Sequence, residues 1–268
     1  MKLWFLFCVL PFFITMNCNT GKKKAAGEPD QRLRFVMRTL EKRVGKCDQE
    51  GGACANVYIR YPMAMEPNSK VAKNINDSII AVLIDNFIFE DRPGVLSEQQ
   101  LDLAAEAFIE EWKTLLDEDQ DQMTTGNWEI IVEGTVRLLS SKIAAVTLST
   151  NSYAGGAHPN AYITLLNFDL KTGKLLKWKD VITDLTALKT LAEEKFKTAR
   201  SLSPDANLAE EGFFYDESFA LPENFELQKE GILFFYNPYE AASYAAGPTD
   251  FVITYEALGN LVRKEVIF

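Results

Sequence analysis

The stretch Trp128-Glu-Ile-Ile-Val-Glu-Gly-Thr-Val-Arg-Leu-Leu139, Ser140-Ser-Lys142, Ile143-Ala-Ala-Val-Thr-Leu-Ser-Thr150 decides how this chain folds. Two runs rich in β-branched and apolar residues flank a short polar break, a pattern that predicts successive strands. A third run, Ala161 to Leu170, follows a polar, glycine-bearing segment, and Lys171-Thr-Gly-Lys174 after it reads as a turn. Further on, Phe225–Gln228, Ile232–Tyr236 and Asp250–Thr254 read as shorter strands. From Asn127 onward the texture is therefore that of hairpins.

Working outward, the apolar period changes. Val71, Ile75, Ile79, Val82 and Leu83 recur at helical spacing behind Asn68-Ser69, which can cap a helix. Ser97-Glu-Gln-Gln100 is a capping-box pattern opening a second helix that carries Leu101, Ala105, Phe108, Trp112 and Leu115. Asp184 can cap a helix through Phe196 with Leu185, Leu188 and Leu191 inward, and a closing helix is expected over Tyr255–Val262. Residues Arg34 to Val44 fit a helix or a strand. The turn after them, and the strand-like Ala55–Tyr61, favour a hairpin whose second strand ends at Pro62.

Hairpins segregated from helices predict an α+β fold of mainly antiparallel sheets rather than βαβ winding. The expected organisation is a leader over 1–18, a tether over 19–32, and two lobes over 33–126 and 127–268 with a cleft between them.

The 268 residues are 47% hydrophobic and 25% charged, enough to bury a sizeable core. The formal net charge of −10 disfavours a nucleic-acid partner and suits a cationic one. Met1-Lys2 precedes a nearly apolar run, Leu3–Met16, that is too short to span a bilayer and reads as a signal-peptide core. Cys18 follows where lipoprotein signals place an acylated cysteine, although Thr15 and Asn17 depart from the usual residues around it. Plain secretion is the alternative. The expected location is thus exported, periplasmic or at the cell surface, with a lipid anchor to the membrane. The lysines at 22–24 in the tether would favour anionic headgroups.

Of the four cysteines, Cys8 lies in the leader and Cys18 is the candidate lipid site. Cys47 and Cys54 bracket a Gly-Gly turn and read as a disulfide closing a short loop. A zinc site would need ligands that a chain with one histidine and no second cysteine pair lacks, so no metal is expected.

The segment Ser152-Tyr-Ala-Gly-Gly-Ala-His-Pro-Asn160 and then Leu166-Asn-Phe-Asp-Leu-Lys-Thr-Gly-Lys174 resembles the RsiV-like C-terminal domain family, DUF3298. Tyr236-Asn-Pro-Tyr-Glu240 and Tyr244-Ala-Ala-Gly247 look like its later hallmark. The preceding half, with Tyr61-Pro62 and Asn74-Ile-Asn76, is similar to the companion PdaC-like family, DUF4163. Relatives of that kind include lysozyme-sensing ectodomains and the N-terminal parts of peptidoglycan deacetylases. The sequence offers neither an anti-sigma segment nor the several histidines of a deacetylase centre. The resemblance therefore implies an extracytoplasmic binding module.

The candidate ligand-binding residues are Tyr153, Gly155, Gly156, His158, Asn160, Tyr236, Asn237, Tyr239 and Tyr244. His158 is either a polar cleft residue or a loop histidine that fixes a turn. Gly155-Gly156 permits close approach of a ligand or supplies positive φ. Tyr239 and Tyr244 offer contact area with a polar tip, or packing beneath a loop. Phe234 and Tyr236 must share one face of their strand and Phe235 the other. Lys171-Thr-Gly-Lys174 lacks the first glycine and the context of a phosphate loop, and Asp117-Glu-Asp-Gln-Asp121 lacks calcium-loop spacing.

No nucleophile elbow, zinc-protease motif or dinucleotide fingerprint occurs. The expectation is a cofactor-free binding or sensing module whose partner is a cationic protein such as lysozyme or a peptidoglycan fragment. The alternative is a wall-glycan enzyme that uses a carboxylate pair.

Overall fold

The computed structural model describes residues 33–65, 70–87, 95–118, 126–215 and 218–268. The leader, Cys18, the tether and the Asn68-Ser69 cap lie outside the described residues. Strands β1 (Arg34–Gly45) and β2 (Cys54–Met65) form an antiparallel hairpin in unbroken register from Arg34↔Met65 to Gly45↔Cys54. Its end is closed by a disulfide between Cys47 and Cys54.

The next elements are α1 (Lys70–Ile84) and α2 (Glu98–Glu118), then β3 (Trp128–Leu139), β4 (Ile143–Tyr153) and β5 (Asn160–Asp169). All five strands make one sheet in the order β1-β2-β3-β4-β5. The β3–β4 and β4–β5 pairs are antiparallel, as their short connections require. β2 and β3 run parallel, from Ala55↔Trp128 to Arg60↔Glu133. A parallel pair needs a long crossover, and α1 with α2 supplies it. The fold is α+β and mainly antiparallel, with one β-α-α-β crossover where hairpins alone were expected.

β2 also continues past Pro62 instead of ending there. Beyond Arg60 it pairs only with β1, so the missing proline N–H interrupts no ladder with β3.

The two helices cover one face of this sheet. Val57, Ile59 and Tyr61 of β2 alternate inward against Ile75, Ile79 and Leu83 of α1 and Leu101, Ala105, Phe108 and Trp112 of α2. Ser97 caps α2 by accepting from the Gln100 N–H at 3.2 Å. Leu115, expected on the same stripe, is exposed, because Leu116, four residues after Trp112, takes the position facing the core.

The second core follows α3 (Trp178–Val181) and α4 (Leu185–Ala199). It packs them against a three-stranded antiparallel sheet, β6 (Asn224–Leu227), β7 (Gly231–Tyr236) and β8 (Thr249–Thr254). The Asp184 carboxylate accepts from the N–H groups of Thr186 and Ala187 at 2.9 and 3.0 Å and starts α4. Leu188 is fully buried, whereas Leu185, expected inward, sits in the first turn and is exposed. Phe196 gathers Phe213, Phe214, Phe219 and Tyr236 around it, with ring centroids 5.2–5.7 Å away. The closing segment breaks at Gly259 into α5 (Tyr255–Leu258), a 3-10 turn and α6 (Lys264–Ile267) instead of one helix.

The two sheets meet along the outer edge of β5. A strand edge exposes unpaired N–H and C=O groups, and asparagine side chains satisfy them here. Asn237 bonds both backbone groups of Ile163, and Asn224 accepts from the Leu165 N–H at 3.0 Å. Buried Asn167 donates to the Phe225 carbonyl at 2.6 Å and accepts from the Leu227 N–H at 2.8 Å. The five-stranded sheet is thus tied to the three-stranded one through side chains.

Candidate functional site

Where that seam opens, at the start of β5, lies a cleft of about 370 Å³. One wall is the end of β4 and the start of β5, from Ser149, Thr150 and Asn151 to Tyr162 and Ile163. The other is Phe235 of β7 and the β7–β8 connection, through Pro238, Tyr244 and Pro248. None of the lining residues is Asp, Glu, Lys or Arg. The surface is neutral, with hydroxyls, amides and aromatic rings, as is common in sites that orient a ligand by a few polar contacts.

The rim is an aromatic stack. The His158 imidazole, on the β4–β5 connection, lies on the Tyr244 ring with centroids 4.1 Å apart and planes 18° from parallel. Tyr239 completes the group, 5.6 Å from Tyr244 between centroids. His158 Nδ1 is 2.9 Å from the Pro159 carbonyl, which can only accept, so that nitrogen carries the proton. In the neutral ring Nε2 is then the acceptor for the Tyr239 hydroxyl, 3.2 Å away. The Tyr244 hydroxyl donates to the same Pro159 carbonyl at 3.2 Å. Two loops distant in sequence are therefore latched through one histidine and one carbonyl oxygen.

Tyr239 is 64% exposed and has a backbone φ of +71°. A large aromatic residue in the left-handed region is strained, and such strain gathers where function holds a side chain in place. Pro238 before it and Glu240 after it define the turn. The Glu240 carboxylate accepts from the backbone N–H groups of Asn237 at 2.8 Å and Glu223 at 3.0 Å. Partial burial of that carboxyl holds its pKa above the ordinary carboxylate value, against the lowering effect of the two N–H donors.

The turn carrying Tyr244 is held from behind by Arg200 at the C-terminus of α4. Its guanidinium donates to Thr249 Oγ1 at 2.7 Å and to the carbonyls of Ala246, Gly247 and Pro248 at 3.1–3.3 Å. It also lies 5.0 Å over the Phe213 ring. Burial lowers its pKa from the ordinary arginine value.

The sequence-predicted residues separate into three groups. His158, Tyr239 and Tyr244 come together at the rim. Tyr153, Gly155, Gly156 and Asn160 shape the loop that presents His158. There the Tyr153 hydroxyl donates to the Gly156 carbonyl at 3.0 Å, and Asn160 opens β5 opposite Ser152. The two glycines have φ of +89° and +100°, with open space where a Cβ would stand, so the turn needs them for conformation rather than for close packing. Asn237 lines the cleft while its amide serves the seam, and Tyr236 is buried in the second core with its hydroxyl donating to the Ala220 carbonyl at 2.7 Å.

Arg200 and Asn224 were not anticipated. An asparagine inside a strand run, such as Asn167, is a usable signal because amides are depleted from strands. Nothing local in the sequence marks Arg200.

Fold and site together define an α+β protein of two side-chain-tied sheets with a neutral, aromatic-rimmed cleft. Residues 178–256 match the family described as a protein of unknown function, DUF3298, and residues 49–161 match the family described as deacetylase PdaC. The chain is 22% identical over 210 residues to the peptidoglycan-N-acetylmuramic acid deacetylase PdaC of Bacillus subtilis. That match covers 75% of this chain but only 43% of the Bacillus protein. Two crystal structures share the fold. A DUF3298 family member from Bacteroides fragilis has a TM-score of 0.69 at 24% identity, covering 86% of this chain and 93% of that one. A DUF3298 family protein from Pseudomonas aeruginosa has a TM-score of 0.61 at 19% identity, covering 87% and 97%.

Proposed function

We propose that this chain is a cell-envelope binding module that takes a wall-glycan fragment in the cleft between its two sheets. The observation that carries this reading is the His158–Tyr244 stack with exposed, strained Tyr239 beside it, at the mouth of an uncharged cleft. Sugar rings present flat C–H faces and a rim of hydroxyls, which suit coplanar aromatic rings flanked by Ser, Thr and Asn side chains. The Bacillus relative is named for acting on peptidoglycan N-acetylmuramic acid, which agrees with a wall ligand. The apolar run before Cys18 supports export and a lipid anchor at that cysteine, which would set the module against the wall it reads.

The carboxylate-pair alternative would have to place its two groups outside this cleft, whose described lining holds no Asp or Glu. A second reading, capture of a cationic protein such as lysozyme, is favoured by the net charge of −10.

Calorimetric titration of the full chain with disaccharide-peptide wall fragments, and separately with lysozyme, tests both readings. Fragment binding that falls about tenfold or more in Tyr239→Ala and Tyr244→Ala supports the cleft reading. Lysozyme binding indifferent to both substitutions would move the function to the acidic surface. Silence from both ligands would refute the module as drawn.

A further inference from the structure

At the opposite end of β4 and β5 from the cleft, about 20 Å along the strands, lies a larger concavity of about 650 Å³. Its lining differs in kind from that of the cleft. Lys142 from the β3–β4 turn, Lys171 and Lys174 from the turn after β5, Lys179 of α3 and Arg263 before α6 converge on it. Between them run Leu175, Leu176 and Val266. In a chain of net charge −10, five cations gathered from four separate parts of the fold are a local reversal of sign.

Three carboxylates share the lining, and two are already engaged. Asp169 accepts from the Lys171 N–H at 3.0 Å and the Thr172 hydroxyl at 2.5 Å. Asp180 accepts from the Lys177 N–H at 2.8 Å. The third is Glu265, whose backbone carbonyl, not its carboxylate, takes a hydrogen bond from Lys142 Nζ at 2.9 Å. Among the described residues none of the five cations makes an ion pair, unlike Lys42, which pairs with Asp102 and Glu106.

The scaffold beneath is fixed. Gly173, at φ +73°, lets the Lys171–Lys174 turn sit against the Val71 carbonyl of α1, and Asn74 Nδ2 donates to the Thr172 carbonyl at 2.8 Å. Arg263 is placed by its N–H bond to the Val181 carbonyl at 2.8 Å. The cations are thus carried on braced turns around a concave, partly apolar floor. A concave wall favours a ligand that enters it over a bilayer, which needs a flat or convex face.

We propose that this groove is a second binding site, for a soluble ligand or glycan segment bearing at least two phosphate or carboxylate groups. The lysines and Arg263 contact the anions, and the apolar floor takes the backbone that joins them. The site stands apart from the cleft and does not depend on what the cleft binds.

The test is calorimetric titration of the full chain at low salt with two probes, tripolyphosphate and trigalacturonate. Binding of either probe that weakens steeply with added salt is expected, and which one binds identifies the anion. Lys171→Gln with Lys174→Gln should weaken it about tenfold. Lys195→Gln on α4 and Tyr239→Ala should leave it unchanged, each variant being checked for native circular dichroism. Failure of both probes overturns the proposal. So does an equal loss in Lys195→Gln, which would reduce the effect to diffuse charge. Binding only to vesicles of anionic phospholipid would also overturn it, in favour of membrane contact.

Discussion

The side-chain amide of Asn237 makes both hydrogen bonds that a neighbouring strand would offer the backbone of Ile163. Its Nδ2 donates to the carbonyl at 2.9 Å and its Oδ1 accepts from the N–H at 2.7 Å. Asn76 does the same for Ala64 on β2, at 3.0 and 2.7 Å. A strand edge is closed in both places by a side chain of matching shape. At Ile163 the closure also sets one wall of the cleft.

Asn237→Ala is therefore expected to destabilise the fold by about 1–3 kcal/mol, because it leaves two partly buried backbone groups without partners. Asn237→Asp should cost a similar amount, since a carboxylate cannot donate to the carbonyl. Urea unfolding of the three proteins measures this. A change within a few tenths of a kcal/mol for both would show that water replaces the amide at no cost.

Arg200→Lys keeps the charge but loses the planar fork that reaches Thr249 and three carbonyls together. The turn holding Tyr244 should loosen, and affinity for a cleft ligand should fall several-fold. The stability loss should be modest, about 1–2 kcal/mol. Arg200→Lys with unchanged affinity would show that the turn is held by its own backbone.

Reducing the Cys47–Cys54 disulfide, or replacing both cysteines by serine, releases a loop closed over a separation of seven residues. Chain entropy assigns roughly 2–3 kcal/mol to so small a loop. The long β1–β2 ladder does not depend on it, so the hairpin should persist. Thermal unfolding with and without reductant should show a lower midpoint but still one cooperative transition.

Several tyrosine hydroxyls are buried, and burial opposes their ionisation. Tyr255 is pushed up to about 12 from an ordinary 10.0, and Tyr61, Tyr162 and Tyr236 are raised as well, each chiefly by burial. A raised folded-state value means the folded protein holds these protons more tightly than the unfolded chain does. The stability this confers is present below pH 10 and is lost progressively as pH rises above it, through 12 for Tyr255. Unfolding free energy measured at pH 8, 10 and 11.5 should be nearly level over the first interval and fall over the second. A level profile throughout would mean that these hydroxyls ionise without opening the fold.

The cleft's parts were legible in the sequence in proportion to how local their signals are. His158, Tyr239 and Tyr244 stand in loops marked by glycine and proline, where a large ring must either pack or recognise. Arg200 was invisible because three of its partners are backbone carbonyls, which have no sequence letter, and the Thr249 hydroxyl lies as far away, nearly fifty residues along the chain. Tyr236 carried the same motif as the rim residues, yet strand alternation with Phe234 placed it in the core.

What the amino-acid order determined by itself was most of the elements with near-correct bounds, the inward stripes of α1 and α2, the shared face of Phe234 and Tyr236 on β7, and the β1–β2 hairpin. These follow from periodicities of 2.0 and 3.6 residues, from caps such as Ser97 and Asp184, and from turn residues, all of which act within a few positions along the chain. Tertiary structure alone decided that β2 and β3 pair in parallel across two helices. It also decided that asparagines seal the edge of β5, that one histidine latches two loops, and that five scattered cations meet in one groove. Each of these depends on groups distant in sequence becoming neighbours, and long-range contacts are chosen by the burial and hydrogen-bond demands of the whole core rather than by any local pattern.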